Sequence, residues 1–209
     1  ALRGLGSMPS KNYSSEETPG FENLSGEALA KLGKERGGRM DGCMPGCIVK
    51  CSIIFHDAAG RHVTSAFEYE TIALLGTNLG IADPDEVAKM DRFCDEMGLD
   101  TIDLGSAMGV AASAGKMEMG NVGSAWALLD EVEKGTEFGA ILGNGVAATS
   151  KALGVTRVPA FKGQAIPAHD GRVCKPCGVT YATSPMGADH TAGLSYDDPL
   201  NKEGQVEKS

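Results

Sequence analysis

The sequence predicts a mainly α-helical fold with one short β-hairpin and long loops rich in glycine and proline. Apolar residues recur three and four positions apart in a segment with helix-capping residues at both ends. β-branched runs flank a turn at residues 57–60, which is typical of a hairpin. From Val155 onward, proline and glycine interrupt the pattern, so we expect mostly loop there. We therefore predict a helical domain over residues 1–154 and the start of a second helical and loop domain over residues 155–209.

The first half of the chain predicts a helix, a hairpin and a buried helix, in that order. The segment SGEALAKLGKERGG predicts a helix that Ser25 caps and Gly37 ends. The hairpin is predicted in IVKCSIIFHDAAGRHVTSAF, where β-branched residues precede and follow the turn. The next segment, YETIALLGTNLGI, is apolar enough to predict a helix in the interior.

The clearest helix is predicted in DPDEVAKMDRFCDEMG. Asp83 is the expected N-cap, Pro84 occupies the first helical position, and Gly98 ends the helix. One apolar face is formed by Val87, Met90, Cys94 and Met97. Further helices are expected in SAMGVAASAG, SAWALLDEVEKG and FGAILGNGVAATSKALG.

Composition excludes several classes of function. The 209 residues have a formal net charge of −9 and no dense cluster of Lys and Arg, so we expect no nucleic-acid binding. No run of 18 apolar residues predicts a membrane span, and no apolar segment near the start predicts a signal peptide. A cytoplasmic location is therefore expected, where cysteines stay reduced and serve metal binding or chemistry. Because the sequence opens without Met, we interpret it as an excerpt of a longer chain.

Cys43, Cys47 and Cys51 lie at intervals of four within MDGCMPGCIVKCS. Thiolates bind zinc or iron, and a single loop that supplies three cysteines is typical of an iron–sulfur cluster. Zinc sites are more often built from two separate pairs. The spacing favours a cluster, and a zinc site or three thiols without metal remain as alternatives.

A second group, Cys174 and Cys177, forms a C-x-x-C pair. Such a pair is found in zinc knuckles and in redox dithiols, and it could also supply further ligands to the first group. The flanking residues do not predict the strand-to-helix context of a thioredoxin motif. Cys94 lies on the apolar face of its helix and is expected in the core.

Several segments in a fixed order give the chain a family resemblance. They are MPSKNY, the cysteine loop, FEYETIALLGTNLGI, CDEMGLDTI, FKGQAIPAHDGRV and YATSPMGADHTAG. Together they resemble the central region of the tungsten-containing aldehyde:ferredoxin oxidoreductases. The resemblance implies a mainly helical fold, a tungsten or molybdenum bis-pterin cofactor, a small aldehyde-type substrate, and ferredoxin or another low-potential electron carrier as partner.

The resemblance also implies roles for individual residues. Cys43, Cys47 and Cys51 would hold a [4Fe–4S] cluster, whose fourth ligand is expected beyond Ser209. The segment DEMGLDT is similar to the family's pterin-contacting motif, which makes cofactor ligands of Asp95, Gly98, Leu99 and Asp100. Carboxylates suit such a role because they accept hydrogen bonds from the amine and N–H groups of a pterin ring.

Two residues are implied to line the substrate chamber. Glu70 matches the family's active-site carboxylate, which can act as a base toward water. His190 matches the active-site histidine, which can polarise a carbonyl or transfer protons. The alternative function is a zinc-stabilised, non-catalytic binding module built from Cys43, Cys47 and Cys51 together with the pair Cys174 and Cys177.

Overall fold

A computed structural model describes residues 8–14, 17–48 and 50–193. The mainly α-helical class is confirmed. The α-helices within the described residues are α1 (Gly26–Arg36), α2 (Tyr69–Thr71), α3 (Pro84–Met97), α4 (Thr101–Ser113), α5 (Val122–Glu133), α6 (Glu137–Gly143), α7 (Gly145–Leu153) and α8 (Lys175–Thr183). No helix in this part of the chain has both the length and the apolar character that crossing a membrane requires.

The predicted hairpin forms, and a third strand joins it. The antiparallel sheet has the order β1 (Arg39–Asp41), β2 (Ser52–His56) and β3 (His62–Phe67). Asp57 shapes the turn between β2 and β3, since its Oδ1 accepts hydrogen bonds from the backbone N–H groups of Ala59 and Arg61. Strand β1 was not predicted, because three residues without alternation give no periodic signal.

Helix α3 follows the prediction at both ends. Asp83 Oδ1 accepts a hydrogen bond from Asp85 N, and Gly98 ends the helix in the left-handed conformation, with φ 67°. Cys94 is fully buried, as expected for a core residue. Val87, Met90 and Cys94 contribute to the main hydrophobic core, and α3 packs against β3. Met97, which was predicted on the same apolar face, is instead 40% exposed, because it lies in the last turn of the helix.

The buried segment after β3 is helical but irregular. It consists of α2, a π-helical turn (Ile72–Gly76) and a 3₁₀ turn (Thr77–Leu79). Helix α4 packs directly on this segment at Gly105, where an added Cβ would lie 2.7 Å from the carbonyl oxygen of Leu74. π-Helical turns occur often at functional sites. Here the turn begins two residues after Glu70.

The last third contains more regular structure than predicted. Two short strands, β4 (Ala160–Phe161) and β5 (Gln164–Ala165), form a small antiparallel pair. Helix α8 overturns the expectation of loop over residues 175–183. Its apolar residues follow no helical period, so the signal for a helix was weak, and its stability comes from burial of Cys177 and Tyr181.

Residues after 154 contact the first part of the chain closely. The guanidinium of Arg157 donates hydrogen bonds to the carbonyl oxygens of Asn12 and Tyr13. The Tyr13 hydroxyl in turn approaches the carbonyl oxygens of Ile166 and Pro167, at 2.6 and 2.9 Å. The domain boundary at residue 154 stays a prediction. The part of the second predicted domain beyond residue 193 lies outside the described residues.

Candidate functional site

Glu70, His169 and His190 form a compact cluster. Glu70 Oε1 lies 3.0 Å from His169 Nε2 and 3.6 Å from His190 Nε2. The other carboxylate oxygen, Oε2, accepts a hydrogen bond of 2.6 Å from the backbone N–H of Ala168. Although both imidazoles are near, Oε1 is buried and accepts no hydrogen bond of good geometry. One carboxylate oxygen is therefore tied to the backbone, and the other faces two imidazoles.

The local structure around Glu70 places the two histidines. The Tyr69 hydroxyl donates a hydrogen bond of 2.7 Å to the carbonyl of Ala168, and the Tyr69 ring packs 5.2 Å from the ring of His169. Together with the Glu70 contact, this holds the segment before His169 on both sides. Helix α2 thus binds the 168–169 segment through two successive side chains.

The two imidazoles differ in exposure. Their ring centroids are 5.3 Å apart, and the planes are tilted by 34°. The His169 side chain is 8% exposed and that of His190 is 24% exposed. The carbonyl of His169 accepts a hydrogen bond from the buried Tyr181 hydroxyl of α8. His169 is therefore the fixed, interior imidazole, and His190 is the one that reaches solvent or a ligand.

The structure thus brings together the two predicted catalytic residues, and it adds a third that sequence reasoning missed. His169 stands within FKGQAIPAHDGRV, one of the segments on which the family resemblance rests. The presence of His169 in this segment was the only sequence signal that could have marked it as a candidate site residue. A single histidine in a proline- and glycine-rich stretch has no spacing pattern that would mark it, so only its contact with Glu70 identifies it.

The predicted pterin motif connects α3 to α4. Gly98 makes the left-handed turn, Leu99 is half-buried, and Asp100 is the N-cap of α4, accepting a hydrogen bond from Asp103 N. Asp95 is exposed on the last turn of α3. The four residues therefore lie at one corner between two helices, and their role as cofactor ligands stays a prediction.

A cavity of about 310 Å³ joins this corner to the cluster. Both Asp100 and His190 line it. Asp103 lies deeper in the same wall, where burial raises the pKa of its carboxyl group and a hydrogen bond from Val146 N opposes that rise. The remaining lining residues are Ile102, Gln164, Ala165, Pro167, Ala188 and Asp189. Asp100 and His190 therefore share one cavity.

The cysteine trio lies in the loop between β1 and β2. Cys43 and Cys51 are exposed and Cys47 is half-buried. Burial raises the pKa of the Cys51 thiol, and the carboxylate of Glu68 raises it further. Among the described residues, only Glu70, His169 and His190 bring three ligand atoms within 4.8 Å of one another. The three thiols therefore do not converge as ligands of a single zinc ion do, whereas the cysteines of a cluster each bind a different iron.

Cys174 and Cys177 lie elsewhere, at the start of α8. Both are buried, and they pack with Tyr181 and Ala188. Within the described residues they belong to no set of three metal ligands. The alternative zinc module built from both cysteine groups therefore has no assembled site in this part of the chain.

Comparison with known proteins identifies the family. The model of the family described as "Aldehyde ferredoxin oxidoreductase, domains 2 & 3" matches residues 1–208. The chain belongs to this family. Helices α1–α8 and the small sheet therefore lie within the region that this family model describes.

Curated relatives agree with this assignment. A tungsten-containing aldehyde ferredoxin oxidoreductase of Pyrococcus furiosus is 28% identical over 200 residues, which cover 88% of this chain and 32% of the relative. The protein of the same description from Pyrococcus horikoshii is 29% identical over 202 residues, with the same coverage. An aliphatic sulfonate oxidoreductase, WOR-like subunit, of Pyrococcus furiosus is 32% identical over 171 residues, covering 70% of this chain and 27% of the relative. The chain spans about a third of the length of the first two relatives.

Proposed function

We propose that this chain is the central part of a cytoplasmic tungsten or molybdenum bis-pterin oxidoreductase. The enzyme would oxidise an aldehyde, or a related carbonyl or acyl substrate, and pass electrons through a [4Fe–4S] cluster to ferredoxin or another low-potential carrier. The names of the relatives support tungsten as the metal, an aldehyde as the substrate and ferredoxin as the electron carrier. The observation that bears most directly on the proposal is the Glu70 carboxylate, which lies between two imidazoles beside the cavity that Asp100 lines.

The residues present fit such a cofactor. Glu70 Oε1 is a buried polar oxygen without a hydrogen bond of good geometry, which is costly unless a ligand or water completes the site. Asp95, Gly98, Leu99 and Asp100 would contact the pterin. When bound, the metal–pterin group would take two electrons from the substrate, and the cluster would pass them on.

The cysteine trio fits a cluster by the chemistry of its donors. Cys43, Cys47 and Cys51 would each bind one iron through a thiolate. Their loop is mostly exposed, which would bring the cluster near the surface from which a carrier receives electrons. Gly46, at φ 84°, makes the turn between the first two cysteines, and a Cβ there would meet no atom within 4 Å. The open side of this turn leaves space for the inorganic sulfides of a cluster.

The acidic residue and the two histidines of the candidate site would have different roles in proton transfer. Glu70 would act as the base that takes a proton from the attacking water, because Ala168 N–H holds Oε2 and leaves Oε1 directed at the two imidazoles. His190, which lines the cavity, would donate a hydrogen bond to the substrate carbonyl oxygen. The buried His169 would orient Glu70 and share its proton.

The test is Glu70→Gln in the full-length enzyme. Turnover should fall by about 100-fold or more, because an amide cannot accept the proton, while tungsten and iron contents stay near those of the wild type. Glu96→Gln, on the exposed face of α3, is the matched control and should leave turnover unchanged. Equal turnover of the Glu70 variant and the wild type at equal metal content would contradict the proposal.

A further inference from the structure

Cys174 and Cys177 are paired in space as well as in sequence. Their Sγ atoms lie 2.6 Å apart, and their side chains are buried, with residue exposures of 3% and 0%. A disulfide bond is about 2.05 Å long, so a small shift of either side chain brings the sulfurs to bonding distance. Since no third ligand completes a metal site within the described residues, the arrangement suits the chemistry of a dithiol.

Helix α8 supplies the context that the sequence did not predict. Cys174 is its N-cap residue, and Cys177 is its third residue. Pro176 at the start of α8 has a restricted φ, which reduces the conformational freedom of the two residues that separate the cysteines.

The backbone around the pair is held tightly. Cys174 N donates a hydrogen bond of 2.8 Å to the carbonyl of Asp170, which closes a turn before the helix. Gly171 in this turn packs against Gly178 of α8, where an added Cβ would lie 2.9 Å from the carbonyl oxygen of Gly171. This close approach of two backbones holds α8 against the turn that precedes it.

We propose that Cys174 and Cys177 form a reversible dithiol–disulfide pair, whose oxidant is a small disulfide of the glutathione type. The thiolate of Cys174, the less buried of the two, attacks one sulfur of the oxidant and releases one thiol. The thiolate of Cys177 then attacks Cys174 Sγ and releases the second thiol. In total the pair loses two protons and two electrons, one S–S bond forms, and the S–S bond of the oxidant breaks.

The pair lies close to the candidate active site. Tyr181 of α8 lies in the same small hydrophobic core as Cys174 and Cys177, and its hydroxyl donates a hydrogen bond of 3.0 Å to the carbonyl of His169. The side chain of Tyr181 therefore connects the surroundings of the cysteine pair to His169, whose imidazole lies next to Glu70. The inference itself does not depend on the proposed oxidoreductase activity, because it requires neither cofactor nor substrate.

The experiment uses the 209-residue chain in buffers with different ratios of reduced to oxidised glutathione, without oxygen. After acid quenching, alkylation and trypsin digestion, one peptide, residues 173–202, contains both cysteines and no other, since trypsin does not cleave a Lys–Pro bond. In oxidising buffer this peptide should become two hydrogens lighter and take up no alkyl label. In reducing buffer both changes should reverse.

Variants separate the internal disulfide from simple thiol oxidation. Cys177→Ser should lack the internal disulfide and form only a mixed disulfide with glutathione at Cys174. Cys177→Ala is the second variant if the serine disturbs the buried site, and circular dichroism checks the fold of both. Cys43→Ser, in the exposed loop, is the control and should keep the transition of the wild-type peptide.

Three outcomes would overturn the proposal. One is a folded chain in which Cys174 and Cys177 both still take up the alkyl label after equilibration in the most oxidising buffer. Another is a disulfide that joins either of them to Cys43, Cys47 or Cys51 in place of its neighbour. The third is a stoichiometric zinc ion that the chain retains and that Cys174→Ser loses.

Discussion

Glu70 Oε1 and His169 Nε2 lie 3.0 Å apart, although the two residues are separated by 99 positions in the sequence. The Tyr69 hydroxyl and the Glu70 carboxylate both bind the backbone of Ala168, so the contact depends on the packing of α2 against the residues that precede His169. A buried carboxylate beside a buried imidazole can hold a proton between them. This relationship leads to the first of four predictions.

Replacing His169 by Gln in the full-length enzyme should lower turnover by about 10- to 100-fold, because Glu70 loses the partner that orients it and shares its proton. The pH dependence of kcat should also change, which a purely structural loss would not produce. His62→Gln, at an exposed histidine of β3, is the control. Unchanged turnover and an unchanged pH profile would exclude a role for His169.

Asp91 should make the stability of the fold depend on pH. The residue is 3% exposed, and burial raises the pKa of its carboxyl group from 3.8 to about 7, against the opposing hydrogen bond from Thr64 Oγ1. Between these two values the folded state keeps a proton that the unfolded state has lost. The free energy of unfolding should therefore fall as the pH rises from about 4 to 7, by up to about 1.4 kcal/mol per pH unit.

The variant Asp91→Asn tests this dependence, since the neutral amide can still accept the hydrogen bond from Thr64. Urea unfolding should show a more stable variant at pH 8 and little difference from the wild type at pH 4. Asp130→Asn, on the exposed face of α5, is the matched control and should leave the pH dependence intact. A wild-type stability that is the same at pH 5 and pH 8 would contradict the raised pKa.

Gly105→Ala should destabilise the fold by about 1–3 kcal/mol. The new Cβ would lie 2.7 Å from the carbonyl oxygen of Leu74, so α4 must move away from the π-helical turn. Gly26→Ala, at the first residue of α1, adds the same methyl group where no atom lies within 4 Å and serves as control. Urea denaturation compares the two, and equal stabilities would show that α4 does not pack as described.

The cysteine loop should bind iron weakly in the 209-residue chain alone. After reconstitution with iron and sulfide without oxygen, we expect visible absorption and bound iron that air removes, because three thiolates leave one iron open to solvent. Cys47→Ser should lower the bound iron, and Cys94→Ala, in the core, should not. Iron contents that are equal in the wild type and Cys47→Ser would remove the loop as the binding site, and retained zinc without labile sulfide would favour the zinc alternative.

Local features of the chain were predictable from the sequence. Ser25, Asp83 and Gly37 cap their helices as expected, and the turn at Asp57 joins the predicted strands. Each of these depends on hydrogen bonds or backbone angles within a few residues, so the sequence alone contains the information. The family resemblance likewise placed Glu70 and His190 among the candidates, since it rests on segments that can be read directly.

The sequence by itself therefore determined the helical class, the ends of α1 and α3 and the hairpin, whereas the tertiary structure decided the bounds of the other helices and which side chains meet. Helix α8 is stabilised by burial of the Cys177 and Tyr181 side chains. No local pattern in the sequence indicates this burial. His169 became a candidate only through its contact with Glu70. The physical reason is that helix caps and turns depend on interactions within a few residues. A site whose residues are far apart in sequence depends instead on how all the elements between them pack.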